Sequence, residues 1–247
     1  MSVPSAASLT PKFSPSGKLR IGLVQFPGSN CDQDCFDVLA RHFGIKVAPV
    51  WHTQTELPAL DAVILPGGFS YGDYLRSGAL AAHSPIMIAV KDFVAKGGAV
   101  LGICNGFQIL TESHLLPGAL LRNSNRQFIC EYVHLATASG QSVYHKALAG
   151  KVSRLPIAHG EGRFYVDADG LKRLQDQGQI ALRYASPIGL TGPDFNPNGA
   201  VDQIAGIVSA NGRVLGLMPH PERATDSLLG GSTDGLAVLE AFLSSFT

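Results

Sequence analysis

The stretch Gly102-Ile103-Cys104-Asn105-Gly106 sets a thiol between two glycines, with an apolar run before it and a helical pattern after it. G-x-C-x-G is the thiol form of the strand–turn–helix nucleophile elbow. The turn is tight, so small residues two before and two after the nucleophile keep it clear of the neighbouring strand and helix. Such a turn places Cys104 at a helix N-terminus, where the dipole and the free N–H groups favour the thiolate. The N–H of Asn105 then points into the site and can stabilise an oxyanion. The bland alternative is that Cys104 is a small buried hydrophobe, a common fate of free cysteine.

A thiol nucleophile needs a base, usually histidine, held by a third group. Of eight histidines, one stands in a suggestive frame, Met218-Pro219-His220-Pro221-Glu222. Residues i and i+2 of an extended segment project to one side. Pro221 biases His220 toward the extended region, so Glu222 can lie beside the imidazole and fix its tautomer. A surface turn with an incidental His-Pro-Glu is the alternative. A metal reading of His220, Glu222 and a cysteine lacks a ligand set, and no metal site is expected. The third element is Pro66-Gly67-Gly68, after the apolar run Asp61–Leu65. Ligands of open α/β sheets bind at the carboxyl ends of strands. There Gly67 and Gly68 let a backbone N–H approach a substrate oxygen, unless they form a plain turn. Neither G-x-x-x-x-G-K-[ST] nor a G-x-G-x-x-G after a strand occurs, so no phosphate loop of those types is expected.

The elements that hold these residues follow from periodicity. Leu19–Gln25, Lys46–Val50, Asp61–Leu65 and Ala99–Ile103 read as short buried strands. Helical spacing runs over Asp32–His42, over Leu80–Lys96 with a break near Ser84-Pro85, and over Phe107–Ser113. Strands alternating with helices imply a parallel sheet covered on both faces. Farther on, Cys130–Ala136, Ile157–Val166, Val201–Ser209 and Arg213–Met218 read as strands. The last two flank Asn211-Gly212, a two-residue hairpin signal. Asp234–Phe246 reads as a closing amphipathic helix. The expected fold is α/β: a single domain over residues 19–247, with a mostly parallel central sheet flanked by helices and an added antiparallel portion. Residues 1–18, rich in Ser and Pro, read as a flexible tail without a secretory h-region.

Composition narrows the function. The 247 residues carry 19 Lys+Arg and 19 Asp+Glu, so there is no basic excess for nucleic acid and no acidic solvating tail. Charged residues make up 15%, against about 25% in ordinary soluble domains. With 45% hydrophobic residues the chain is too apolar to be disordered. The low charge also suits a docking surface, which is depleted in Lys, Glu and Asp at its core. Four cysteines are too few and too irregularly spaced for a disulfide scaffold. No apolar stretch is long enough for a transmembrane helix, and a cytoplasmic chain with reduced thiols is expected.

Cys104, His220 and Glu222, in the segments GICNGFQ, PGG and PHPE, resemble the class I (triad) glutamine amidotransferases. The longer stretches PGSNCDQD (27–34), PGGFSYGDYLRSGA (66–79), AHGEGRFY (158–165) and MPHPER (218–223) resemble the branch of that family that serves purine biosynthesis. The likeness spans roughly residue 19 to the C-terminus; the tail has no counterpart. It implies a flavodoxin-like fold and hydrolysis of glutamine to glutamate and ammonia through a thioester on Cys104. It further implies that Gly67, Gly68 and Asn105 supply backbone donors, that Gln108 contacts bound glutamine, and that the segment around Arg126–Phe128 lies near its α-carboxylate. Tyr71, Asp73, Arg76, His159 and Glu161 are expected to face partners or order the site, and Cys31 and Cys35 to be structural or partner-facing. The resemblance implies no cofactor in this chain. It implies a large synthetase subunit holding ATP, Mg²⁺ and formylglycinamide ribonucleotide, and a small bridging subunit. Two other readings remain: a DJ-1-like or peptidase-like cysteine hydrolase, and a non-catalytic regulatory subunit of the same fold. Asn105 stands where the first usually has a histidine, and the complete Cys–His–Glu set argues against the second.

Overall fold

The computed structural model describes residues 19–246; the tail expected at residues 1–18 lies outside them. Four strands begin the chain's sheet: β1 (Ile21–Gln25), β2 (Ala48–Trp51), β3 (Ala62–Leu65) and β4 (Ala99–Ile103). The helices α1 (Asp32–Phe43), α2 (Ala79–Ala82) and α3 (Ile86–Ala95) connect them, and α4 (Asn105–Glu112) follows β4. Then come β5 (Ala119–Leu121), β6 (Ile129–Thr137), α5 (Val143–Ala147), β7 (Val152–His159), β8 (Arg163–Tyr165) and α6 (Ala168–Asp176). The chain closes with β9 (Ile180–Ala185), β10 (Ile204–Val208), β11 (Val214–Leu217) and α7 (Gly235–Leu243).

Nine strands form one sheet in the order β2-β1-β3-β4-β11-β10-β9-β6-β7. From β2 to β11 every pairing is parallel; from β11 to β7 every pairing is antiparallel. The composition of the strands explains the division. β3 and β4 are apolar and buried on every residue, as parallel strands covered by helices on both faces must be. β7 instead alternates half-buried and buried residues, the pattern of a sheet with one wetter face. β5 and β8 pair in a separate two-stranded ribbon.

Several boundaries differ from the sequence reading for local reasons. The segment expected as one strand over 157–166 is two strands, since Gly160-Glu161-Gly162 lets the chain turn and Gly162 packs under the His159 ring. The strand expected from Val201 starts at Ile204; Asp202 sits at φ 49° in a 3₁₀ turn and pairs with Arg183 at 2.6 Å. Asn211-Gly212 lies inside a wider loop between Val208 and Val214, with Gly212 at φ 73°. The break near Pro85 is present and separates α2 from α3. Among the described residues no helix is long and apolar enough to cross a membrane.

Candidate active site

Parallel pairing delivers four segments to one edge of the sheet. The loops after β1 and β3, the turn after β4 and the segment after β11 all leave at the carboxyl ends of strands. The chain runs from β1 out to β2 on one side and returns to β3 on the other, so a crevice opens between the two loops. Backbone bonds stitch those loops together. Cys31 N–H donates to Gly67 O at 3.4 Å, and Phe69 N–H donates to Gly28 O at 2.9 Å. Gly68 at φ 141° pairs with Ser29 across this junction, and a side chain there would strike the Gly28–Asn30 backbone.

Cys104 lies between β4 and α4 at φ 49°, ψ −103°. A non-glycine residue held there stores on the order of 1–3 kcal/mol of backbone strain. Its surroundings enforce it. A Cβ on Gly102 would meet Leu110 Cδ1 at 2.5 Å and Gly106 O at 2.7 Å, and one on Gly106 would overlap the backbone carbonyl of Leu65 on β3. Cys104 N–H donates to Leu217 O at 2.8 Å, tying the elbow to β11. The thiol is buried and donates to Ala158 O at 3.7 Å. Asn105, first residue of α4, has an N–H beyond reach of the helix's own carbonyls.

His220 follows β11 in an extended conformation, φ −102° and ψ 91°, before the 3₁₀ turn Pro221–Arg223. Its Nδ1–H donates to Glu222 Oε1 at 2.7 Å, and the two side chains are 2% and 0% exposed. Burial by itself would push the imidazole pKa down. The Glu222 carboxylate, then Cys104 and Cys31, outweigh it and hold that pKa well above the ordinary histidine value. His220 Nε2 and Glu222 Oε2 are buried without a hydrogen-bond partner. The other such side-chain atoms among the described residues are Ser70 Oγ, Asp73 Oδ1 and His159 Nε2. Asp73 and His159 line the same crevice and Ser70 follows Phe69 in its wall, where unpaired buried groups point to an occupant.

A cavity of about 280 Å³ opens beside Cys104. Gly68, Phe69, Gln108, Phe128, Ala158 and His159 line it, with Arg122 and Arg126 facing Asp73 and Glu161. Both signs of charge therefore meet in one amino-acid-sized space. Glu161 is held by Ser77 N–H at 3.2 Å and by Arg122 at 3.6 Å. Burial, then the neighbouring His220, lowers the His159 pKa to about 4, so that ring stays neutral.

The expected residues fall into place unevenly. Cys104, Gly68, Gln108 and Phe128 line the cavity. Gly67 lies against the His220 ring, which joins Glu222 behind the cavity wall. Gln108 is a buried bridge, accepting from Asn105 Nδ2 at 2.8 Å and donating to Glu161 O at 2.7 Å. Asn105 also accepts from Ser70 N–H at 3.2 Å. Phe128 is 54% exposed, at the mouth, its ring 6.3 Å from that of Phe69. Tyr71 orders the loop after β3, its hydroxyl 2.7 Å from His52 Nδ1 and 2.9 Å from Ser84 Oγ. Arg76 pairs with Glu112 on α4. Cys31 and Cys35 are both buried in this chain. Cys31 lies at the site, its thiol against His220. Sequence reasoning missed this contact, because nothing local ties position 31 to position 220.

This arrangement supports acyl transfer through a thiol, with a base, a base-orienting carboxylate and backbone donors at hand. Comparisons with known proteins agree. A profile of the CobB/CobQ-like glutamine amidotransferase domain matches residues 18–232. Phosphoribosylformylglycinamidine synthase subunit PurQ of Synechococcus sp. (strain CC9605) is 53% identical over 225 residues, 91% of this chain and 100% of that relative. The subunit of the same name from Thermomicrobium roseum is 50% identical, covering 92% of this chain and 96% of its own. The solved structure of PurLQS from Thermotoga maritima superposes with a TM-score of 0.81 at 39% identity, over 94% of this chain and 100% of that one. A glutamine amidotransferase of Thermotoga maritima shares the fold at a TM-score of 0.53 and 18% identity, over 83% of this chain and 77% of that one.

Proposed function

This chain belongs to the CobB/CobQ-like glutamine amidotransferase family and, within it, to the PurQ subunits of phosphoribosylformylglycinamidine synthase, and from that premise we propose how its residues divide the work. The chain is the glutaminase subunit of an ATP-dependent carbon–nitrogen ligase of purine biosynthesis. It works with the synthetase subunit PurL and the small subunit PurS. The synthetase holds ATP, Mg²⁺ and formylglycinamide ribonucleotide and uses the ammonia made here; the complex works in the cytoplasm.

Glutamine enters the cavity with its carboxamide toward Cys104. Its α-amino and α-carboxylate groups meet the mixed-charge end formed by Asp73, Glu161, Arg122 and Arg126. His220 Nε2 takes the thiol proton, and the thiolate attacks the carboxamide carbon. The N–H groups of Asn105 and of the Gly67-Gly68 loop receive the oxyanion. His220 returns the proton to the departing nitrogen, which leaves as ammonia, and a γ-glutamyl thioester remains. Water, deprotonated by the same imidazole, then releases glutamate and restores the thiol. Glu222 holds the tautomer and supports the imidazolium.

The observation that carries this reading is the buried His220–Glu222 pair beside a strained Cys104 elbow at a mixed-charge cavity. No observation favours the non-glutamine hydrolase or the regulatory subunit. The site is loop-built, with Tyr71, Asp73 and Leu75 at positive φ, and Phe69, Tyr74, Leu75 and Phe128 exposed on its loops. Those side chains suit a docking face that completes the site when partners bind. The test is the reconstituted complex carrying Cys104→Ala. Glutamine-dependent synthesis is lost and ammonia-dependent synthesis is retained. Retained use of glutamine would remove Cys104 from the nucleophile's role.

A further inference from the structure

One side chain at the catalytic edge has no part in the acyl transfer. Cys31 stands at the start of α1, 2% exposed, and its thiol faces His220 from the loop after β1. Ligand atoms of Cys31, His220 and Glu222 all lie within 4.8 Å of one another. Gly67 makes the meeting possible. A Cβ there would stand 2.8 Å from His220 Cε1 and 3.0 Å from Cys31 Sγ, filling the space the ring and thiol share. Glu222 adds a second, independent sign: its Oε2 is buried and without a hydrogen-bond partner.

We propose that Cys31, His220 and Glu222 form a three-ligand site for a thiophilic divalent cation such as Zn²⁺, whose binding switches the glutaminase off. The donor set is one thiolate, one imidazole and one carboxylate, the mixture borderline-soft zinc takes at tetrahedral sites with an open fourth position. Magnesium and calcium prefer all-oxygen ligands and are excluded by the same chemistry. Charge also balances, since a thiolate and a carboxylate offset the two charges of the ion. Binding displaces the Cys31 thiol proton to solvent, and the proton of an imidazolium at His220 with it. The fourth position is left to water. An ion on His220 and Glu222 removes the base from the proton shuttle, which links occupancy to activity if the proposed mechanism holds.

Binding is read without activity, so its failure and a failure of the catalytic reading stay separate. The full-length Cys104→Ala chain is titrated with Co²⁺ alone. One equivalent should give a thiolate-to-cobalt charge-transfer band, which Zn²⁺ abolishes and excess Mg²⁺ leaves intact. Adding Cys31→Ser should remove the band and weaken Zn²⁺ binding by at least about tenfold, since losing even an outer partner of a ligand costs about 10–100-fold. Adding Glu222→Gln instead should keep the band and weaken binding by about tenfold on the same scale. No band, a band undiminished by Cys31→Ser, or an affinity untouched by Glu222→Gln would each overturn the proposal. In the complex of the unmodified chain, Zn²⁺ should suppress glutamine-dependent synthesis and spare ammonia-dependent synthesis.

Discussion

Replacing Glu222 by Gln removes the charge of the buried pair while keeping an acceptor oxygen in the same place. His220 Nδ1 and Glu222 Oε1 are 2.7 Å apart, and both side chains are almost wholly enclosed. In the native protein the carboxylate is the largest influence raising the imidazole pKa against burial; without it only Cys104 and Cys31 oppose burial, and the pKa falls. Stranding one partner of a buried ion pair costs about 3–5 kcal/mol, but here the ring can lose its proton and the amide still accepts its hydrogen bond. The loss expected is that of a hydrogen bond to a charged group, about 2 kcal/mol. For a chain of this size that lowers Tm by about 4–8 °C. The sign follows from linkage. A raised histidine pKa contributes stability that is fully present below the unfolded value of about 6.5 and lost as pH rises through the folded value. In Glu222→Gln the folded pKa is lower than in the native protein, so less stability is gained as pH falls. The gap in Tm between the two proteins is therefore widest in mild acid and narrows toward alkaline pH. Thermal melts from about pH 6 to about pH 9 measure it. A gap that is constant, or that widens with pH, would refute the reasoning. Glutamine-dependent turnover in the complex should fall by about 10²–10⁴.

Other substitutions separate packing from chemistry. Gly106→Ala drives a Cβ into the Leu65 carbonyl on a buried strand that cannot yield, so melts should show a loss of about 1–3 kcal/mol, with turnover falling alongside. Gln108→Ala leaves the Asn105 amide and the Glu161 carbonyl without a partner, at about 1–3 kcal/mol for each buried group. It should lower both Tm and kcat for glutamine; a silent variant would mean the bridge does not hold the elbow. Phe128→Ala acts oppositely, because the ring is half exposed at the cavity mouth. Its Tm should stay within about 2 °C while KM for glutamine rises; a loss of about 3–5 kcal/mol would mark it as core.

The candidate triad was legible because its signals are local. Five residues around Cys104 encode the elbow, and the glycines at 102 and 106 occupy space that no side chain could share. The spacing of His220 and Glu222 around Pro221 puts their side chains in hydrogen-bond contact. The parallel half of the sheet was legible too, since β1, β3 and β4 are uninterrupted apolar runs. Other parts depend on tertiary context. α6 escaped the reading although its signals are local: Leu171 and Leu174 share its core-facing side, and Asp167 caps it through Gly170 N–H at 2.7 Å. The turn at Gly160–Gly162 lies between the apolar stretches Ile157-Ala158 and Phe164–Val166, which the reading joined into one strand, yet it carries Glu161 into the cavity wall. Cys31 meets His220 only because β1 and β11 end at the same edge of the sheet. Low overall charge pointed toward docking, and the exposed apolar side chains on the cavity loops are the part of the surface that fits it, though Arg122 and Arg126 stand among them.

The most direct test of the central claim is to trap the acyl intermediate. The complex is mixed with labelled glutamine, quenched in acid during turnover, digested and mapped by mass spectrometry. The γ-glutamyl group should be found on the peptide containing Cys104, in thioester linkage that hydroxylamine releases, and His220→Ala should slow its formation. Steady turnover of glutamine with the label on another residue, or with no label on Cys104 under conditions that preserve thioesters, would contradict the account.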